Sequence, residues 1–97
     1  MAATQAHPHQ RHHLHFCGTV QGVGFRYTAQ NLALGYNVCG YVRNLGDGSV
    51  ELVVEGPEDQ VESLLADLRR KMNCFIRKVE THVEPATGEF HGFGIRH

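Results

Sequence analysis

The chain has 97 residues, of which 41 % are hydrophobic and 20 % charged, with a formal net charge of −1. That suits one compact soluble domain and is too short for two. The near-neutral balance gives no support to non-specific nucleic-acid or membrane-surface binding. No apolar run approaches the ~20 residues of a membrane span, and Met1 to His13 is polar and histidine-rich rather than signal-like. The expected location is the cytoplasm, where the odd set of Cys17, Cys39 and Cys74, with no C-x-x-C pair, reads as reduced thiols.

Residues 1–12 contain Pro8 and little that is apolar, and read as a mobile tail. The folded domain is expected over 13–97. Leu14, Phe16, Gly18 and Val20 alternate with His13, His15, Cys17 and Thr19, the pattern of a strand with one apolar face. A glycine-rich turn follows. Phe25, Ala29, Leu32, Ala33 and Tyr36 then recur at helical spacing, with Gly35 as the expected terminator. Val38, Gly40 and Val42 mark a second strand; Val50, Leu52 and Val54 mark a third. The turn residues Asn44-Leu45-Gly46-Asp47-Gly48 join them as a hairpin.

Gly56-Pro57-Glu58-Asp59 opens a second helix, with proline near its start and acids in its first turn. Val61, Leu64, Leu65, Leu68 and Met72 form its apolar stripe. Arg69, Arg70 and Lys71 fall in the last turn, where the helix dipole favours cations. A fourth strand is expected over about Phe75 to Val83, and a short terminal one carries Phe93 and Ile95. The order strand–helix–strand–strand–helix–strand predicts an α+β ferredoxin-like sandwich. It has an antiparallel sheet of four to five strands and two helices on one face.

The most informative stretch is Gly18-Thr19-Val20-Gln21-Gly22-Val23-Gly24-Phe25-Arg26. It runs from a strand through a glycine turn into a helix. A helix start presents unpaired backbone N–H groups and the positive end of the dipole. Gly22 and Gly24 let the backbone curl close to an anion. Arg26 is then a cation where a cation is locally unfavourable, by ~0.3–1 kcal/mol. The second helix obeys every local rule, so this exception points to a bound phosphate. Taken alone, Arg26 could be a solvated helix residue, Asn44 a turn former, and the two glycines only a tight connection.

That nonapeptide, followed by Gly40-Tyr41-Val42-Arg43-Asn44, Asp47-Gly48-Ser49-Val50-Glu51 and Gly92-Phe93-Gly94-Ile95-Arg96, closely resembles the acylphosphatases. The likeness is collinear from about His13 to His97. It implies a ferredoxin-like enzyme that hydrolyses acyl phosphates to a carboxylate and phosphate, with no cofactor or metal. By the same resemblance Arg26 is the phosphate-binding arginine and Asn44 positions the attacking water. The backbone amides of Gln21, Gly22, Val23, Gly24, Phe25 and Arg26 are the phosphate cradle. Phosphate is then both product and competitive inhibitor. The alternative is a non-catalytic phosphate- or small-ligand-binding regulatory module of the same fold.

Other chemistries fail on inventory. Ser49 and Ser63 lie in no G-x-S-x-G elbow. No Lys-Ser/Thr follows the glycine turn, and the dinucleotide fingerprint lacks its third glycine. Glu51, Glu55 and Glu80 form no evident acid–base pair. An RNA-recognition motif shares the element order. The expected open face, however, carries His15, Cys17, Thr19, Ser49, Glu51, Val53 and Glu55, neither aromatic nor basic. His7, His9, His12, His13 and His15 read as tail and strand residues with incidental metal affinity rather than a built site. His82, His91 and His97 read as surface residues, and nothing in the sequence demands more than a monomer.

Overall fold

The computed structural model describes residues 9–97. Its elements are β1 (His9–Gly18), α1 (Phe25–Ala33), β2 (Cys39–Asn44), β3 (Val50–Pro57), α2 (Glu58–Met72), β4 (Ile76–Pro85) and β5 (Phe93–Arg96). The five strands form one sheet in the order β4-β1-β3-β2-β5. Both helices pack on one face, the ferredoxin-like arrangement that the element order predicts.

The sheet is mixed rather than wholly antiparallel. β1 pairs antiparallel with β3 and β4, and β2 with β3, but β5 lies parallel to β2 from Gly40↔Phe93 to Arg43↔Arg96. A parallel pair needs a long connection. The segment between β4 and β5 supplies it by crossing the sheet face opposite the helices.

Alternation along β1 and β3 delivers the core. Leu14, Phe16, Val50, Leu52 and Val54 point under the helices and are fully buried, as are Val61 and Leu68 of α2. Each such side chain contributes ~1.5–3 kcal/mol through burial. Phe16 and Phe25 meet with ring centroids 4.9 Å apart, which fixes the start of α1 over β1.

Three further sequence expectations need correction. The tail does not extend to residue 12: His9–His12 belong to β1, paired with β3 on one side and β4 on the other. The backbone ladder outweighs a polar composition there, and His12 is buried toward α2, where desolvation lowers its pKa despite Glu62 and Glu58. Residues 1–8 of the predicted tail, including His7, lie outside the described residues.

Second, Gly35 follows the end of the helix as expected but without the positive φ usual for a terminating glycine. α1 stops at Ala33 and is capped by right-handed Leu34, with the Gly35 amide bonded to the Leu32 carbonyl. Third, Ser49, Val53 and Glu55 are buried on the face expected to be open. The connector 86–92 folds back across it, seating Phe90 edge-on to Tyr41. β3 lies between β1 and β2, and Cys17, Cys39 and Cys74 are free thiols.

Buried Glu55 holds that connector down. It accepts from the Thr87 amide at 2.9 Å, the Thr87 hydroxyl at 3.1 Å, the Gly88 amide at 3.1 Å and Arg11 Nε at 2.8 Å. Burial works to raise the Glu55 carboxyl. The two amides, Arg11 and the Thr87 hydroxyl overcome it and leave the group below the ordinary carboxylate range. Glu51 behaves alike: burial raises it, but Arg43 at 2.5 Å and His13 at 2.7 Å bring it down.

Candidate functional site

β1 ends at Gly18, and the chain passes through Val20, fully buried, into the loop 21–24. Gly22 has φ +76° and Gly24 φ +80°, backbone shapes that L-residues rarely adopt. A Cβ at either would meet nothing within 4 Å, so the demand for glycine is conformational rather than steric. These two left-handed glycines flank Val23 and lead the chain into α1 at Phe25.

Gly24 caps α1 with no side-chain hydrogen bond, and no acidic residue sits in the first turn. The Gly24 carbonyl accepts from Thr28. Among the described residues, the amides of Phe25, Arg26 and Tyr27 have no carbonyl acceptor. α2 supplies the contrast, because Glu58 and Asp59 occupy its first turn. One helix start is balanced by acidic residues of its own sequence; the other has none, and its first amides have no carbonyl acceptor among the described residues.

Arg26 projects from that exposed start into a cavity of about 270 Å³. Asn44, the last residue of β2, lines the same cavity with Gly22, Gly24 and Phe25. The structure thus brings Arg26 and Asn44 to one hollow beside the glycine loop. Among the described residues Arg26 has no carboxylate partner; its Nη1 donates to His97 Nδ1 at 3.4 Å. No hydrogen bond engages the Asn44 side chain among the described residues, so its amide is free to serve a ligand.

Gln21 works differently from the other loop residues. Its side-chain Nε2 donates to the carbonyls of Leu45 and Ser49, each at 2.8 Å. Both N–H bonds of the amide are therefore spent tying the loop to the β2–β3 hairpin, directly after Asn44. The hairpin is fixed in turn by Leu45 N–H to Ser49 O and by Asp47. Asp47 accepts from the Ser49 amide at 3.0 Å and from the Ser49 hydroxyl. The two Ser49 bonds lower the Asp47 carboxyl. His15 Nε2 donates to Ser49 Oγ at 2.5 Å, anchoring the turn to β1.

Sequence reading missed part of the lining. Tyr27, Ile95 and His97 complete the cavity wall. β5 brings Ile95 there, with His97 directly after it, by running parallel to β2, a pairing that no local pattern announces. The usable signal was composition: Phe93 and Ile95 alternate with glycines in a stretch too short to stand alone. Among the described residues no group of three or more His, Cys, Asp or Glu is placed to hold a metal ion.

Fold and site together define a small α+β sandwich with one helix start that has no side-chain cap, and an arginine and a carboxamide beside it on a shared hollow. The acylphosphatase family model matches residues 12–95, and the chain belongs to the acylphosphatase family. An acylphosphatase of Aeropyrum pernix is 46 % identical over 82 residues, covering 82 % of this chain and 81 % of the relative. The crystal structure of acylphosphatase from Bacillus subtilis superimposes with TM-score 0.81 at 28 % identity, over 91 % of this chain and 99 % of that one. HypF of T. kodakarensis contains a similar unit, with TM-score 0.77 and 37 % identity, covering 91 % of this chain but 12 % of HypF. The protein is an acylphosphatase, which favours the enzyme reading over a non-catalytic module. None of the described helices is long and apolar enough to cross a membrane.

Proposed function

We propose that the protein hydrolyses small acyl phosphates by in-line attack of a water held by Asn44 on a phosphoryl group held by the loop and Arg26. The observation that carries this reading is the convergence of Arg26, Asn44, Gly22 and Gly24 on one cavity. The amides from Gly22 to Arg26 surround two or three phosphoryl oxygens, and the guanidinium adds a planar fork that stays charged. Gln21 contributes its main chain to this cradle, while its side chain is committed to the hairpin.

The reaction asks little else of the protein. The carboxylate that leaves has a conjugate acid of pKa ~4, so it departs without a proton donor. What remains is to place the phosphoryl group, stabilise charge on its oxygens and align water opposite the leaving oxygen. The Asn44 carboxamide both donates and accepts, so it orients water without titrating. Activity should therefore be flat around neutral pH. Tyr27 and Ile95 at the cavity wall offer an apolar surface to the acyl group.

Benzoyl phosphate hydrolysis in the presence of a chelator tests the reading. The expected result is turnover by the wild type, with inorganic phosphate as a competitive inhibitor. Arg26→Gln should weaken phosphate binding and turnover together. Asn44→Ala should lower turnover and leave the phosphate inhibition constant near its original value. Loss of phosphate affinity in Asn44→Ala would remove the water-positioning role.

A further inference from the structure

Ser49 is buried at the foot of the β2–β3 hairpin, directly before β3, and three segments of the chain meet on it. Its carbonyl accepts from Gln21 Nε2 of the glycine loop at 2.8 Å and from the Leu45 amide at 2.9 Å. Its amide and hydroxyl both donate to Asp47 at the hairpin tip. The hydroxyl also accepts from His15 Nε2 of β1 at 2.5 Å. Asn44 directly precedes Leu45 and pairs with Val50 across the strands. Leu45 and Ser49 therefore close the turn that begins at Asn44.

His15 reaches Ser49 along a diagonal. In register it lies between Glu51 of β3 and Glu80 of β4. Glu51 is already occupied, by Arg43 at 2.5 Å and His13 at 2.7 Å. The imidazole leans instead toward the residue two positions before Glu51, a separation that long side chains span in a sheet. Its Nδ1 stands 3.6 Å from Glu80, a carboxylate that Lys78 meets at 3.4 Å, and Asp47 lies 3.9 Å from Nε2. β1 is hydrogen-bonded to a strand on each side, so His15 stands on a part of the sheet that does not shift alone. Its ring lies outside the core: Leu14 and Phe16 on either side are fully buried under the helices, while His15 is half-buried on the opposite face.

We infer that His15 is a positioning residue for the reaction: through Ser49 it fixes the hairpin so that the Asn44 carboxamide keeps its place relative to the glycine loop. The inference rests on the reading in which Asn44 holds the attacking water. Gln21 ties the hairpin to the loop at the Ser49 carbonyl, and His15 ties it to the sheet at the Ser49 hydroxyl. Two tethers from different elements on one residue stop the turn from pivoting about either of them. A shift of about 1 Å in a group that aims water is felt in turnover, because the alignment of the attacking oxygen is steep. Phosphate affinity is insensitive to the same shift, since the hairpin supplies none of the amides of the proposed cradle.

Steady-state hydrolysis of benzoyl phosphate by His15→Leu, His15→Gln and Asp47→Ala, each alone and combined with Asn44→Ala, tests this. His15→Leu should lower kcat about 10-fold and leave KM and the inhibition constant of inorganic phosphate unchanged. His15→Gln should recover most of that kcat, because its side-chain N–H can stand where the imidazole Nε2 stands. Asp47→Ala is an exposed change at the hairpin tip that loosens the same network without touching β1, and should lower kcat about 3-fold. In the Asn44→Ala background none of the three should lower kcat further, because a positioning residue has no effect once the group it positions is gone. Wild-type kcat in both His15→Leu and Asp47→Ala, beside a depressed Asn44→Ala, overturns the role of His15 and leaves the proposed reaction standing. So does a loss carried by KM, a failure of His15→Gln to recover kcat, or a His15→Leu loss that persists in the Asn44→Ala background. Undiminished kcat in Asn44→Ala alone overturns the water-holding reading, and this inference with it.

Discussion

Two polar regions of this small protein are built to opposite specifications. Around Glu55, one buried carboxylate receives two backbone amides, a hydroxyl and a guanidinium, so every group present is matched. At the loop before α1 the donors are present and the acceptor is missing: helix-start amides, Arg26, and no acidic residue in the first turn. A matched buried network adds rigidity, because losing any member strands the others. An unmatched set of donors facing a hollow is a place where a ligand completes the network. The first region folds the connector that carries β5 to the second. Under the proposed mechanism, structure and chemistry are divided between two clusters that differ in whether their polar groups are already matched.

The largest test of that division is Arg26→Gln. It should cost about 10³-fold in kcat/KM for benzoyl phosphate, the scale on which an arginine serves a transferring phosphoryl group. The melting temperature should move little, because Arg26 makes no ion pair among the described residues. Asn44→Ala should lower kcat by about 10²–10³-fold, again with stability nearly intact. Unfolding of either variant under assay conditions would erase the contrast.

Gln21→Ala should fall between the two regions, since that side chain ties the loop to the hairpin. A loss of about 1–2 kcal/mol in stability should accompany a roughly 10-fold fall in kcat as Asn44 drifts relative to the loop. Denaturant titration and steady-state kinetics on one preparation read both. Equal kcat in mutant and wild type would show that the hairpin holds its place without Gln21.

Glu55→Gln should leave turnover within a fewfold and cost stability of about 2–4 kcal/mol. Its pH dependence follows from the lowered carboxyl. A group whose folded pKa is depressed adds stability that is fully present above its unfolded value, near ~4.3. That stability is lost as pH falls through the folded value. The wild-type melting temperature should ease down as pH falls through about 6.5, where His12 gains a proton more readily unfolded than buried, and drop further below about pH 5 as the lowered carboxylates are protonated. In Glu55→Gln the drop should be shallower, with the residual slope left to Glu51, Asp47 and the other lowered carboxylates.

The core-forming strands and helices were largely legible in the sequence. Alternation in Leu14, Phe16, Val50, Leu52 and Val54 and the helical stripe of Val61, Leu64, Leu65 and Leu68 placed the core without tertiary information. The register of a half-buried strand or helix is written in its own period. Gly22 and Gly24 were equally readable, since positive φ is a local property that glycine meets at least cost. Where the reading slipped, a long-range bond had replaced a local preference. Residues 9–12 look like tail until β3 and β4 flank them, and Glu55 looks exposed until the connector lies over it.

The amino-acid sequence by itself thus determined the element order, the apolar faces and the glycine loop with its misplaced arginine, because each depends on residues within a few positions of one another. Only the tertiary structure decided that Arg26 shares a hollow with Asn44, and that β5 closes it by running parallel to β2. It also decided that the Gln21 side chain is spent on the hairpin and that Glu55 is buried among donors. Those outcomes rest on pairings between distant segments, whose geometry is fixed by packing and sheet hydrogen bonds rather than by any neighbour in the chain.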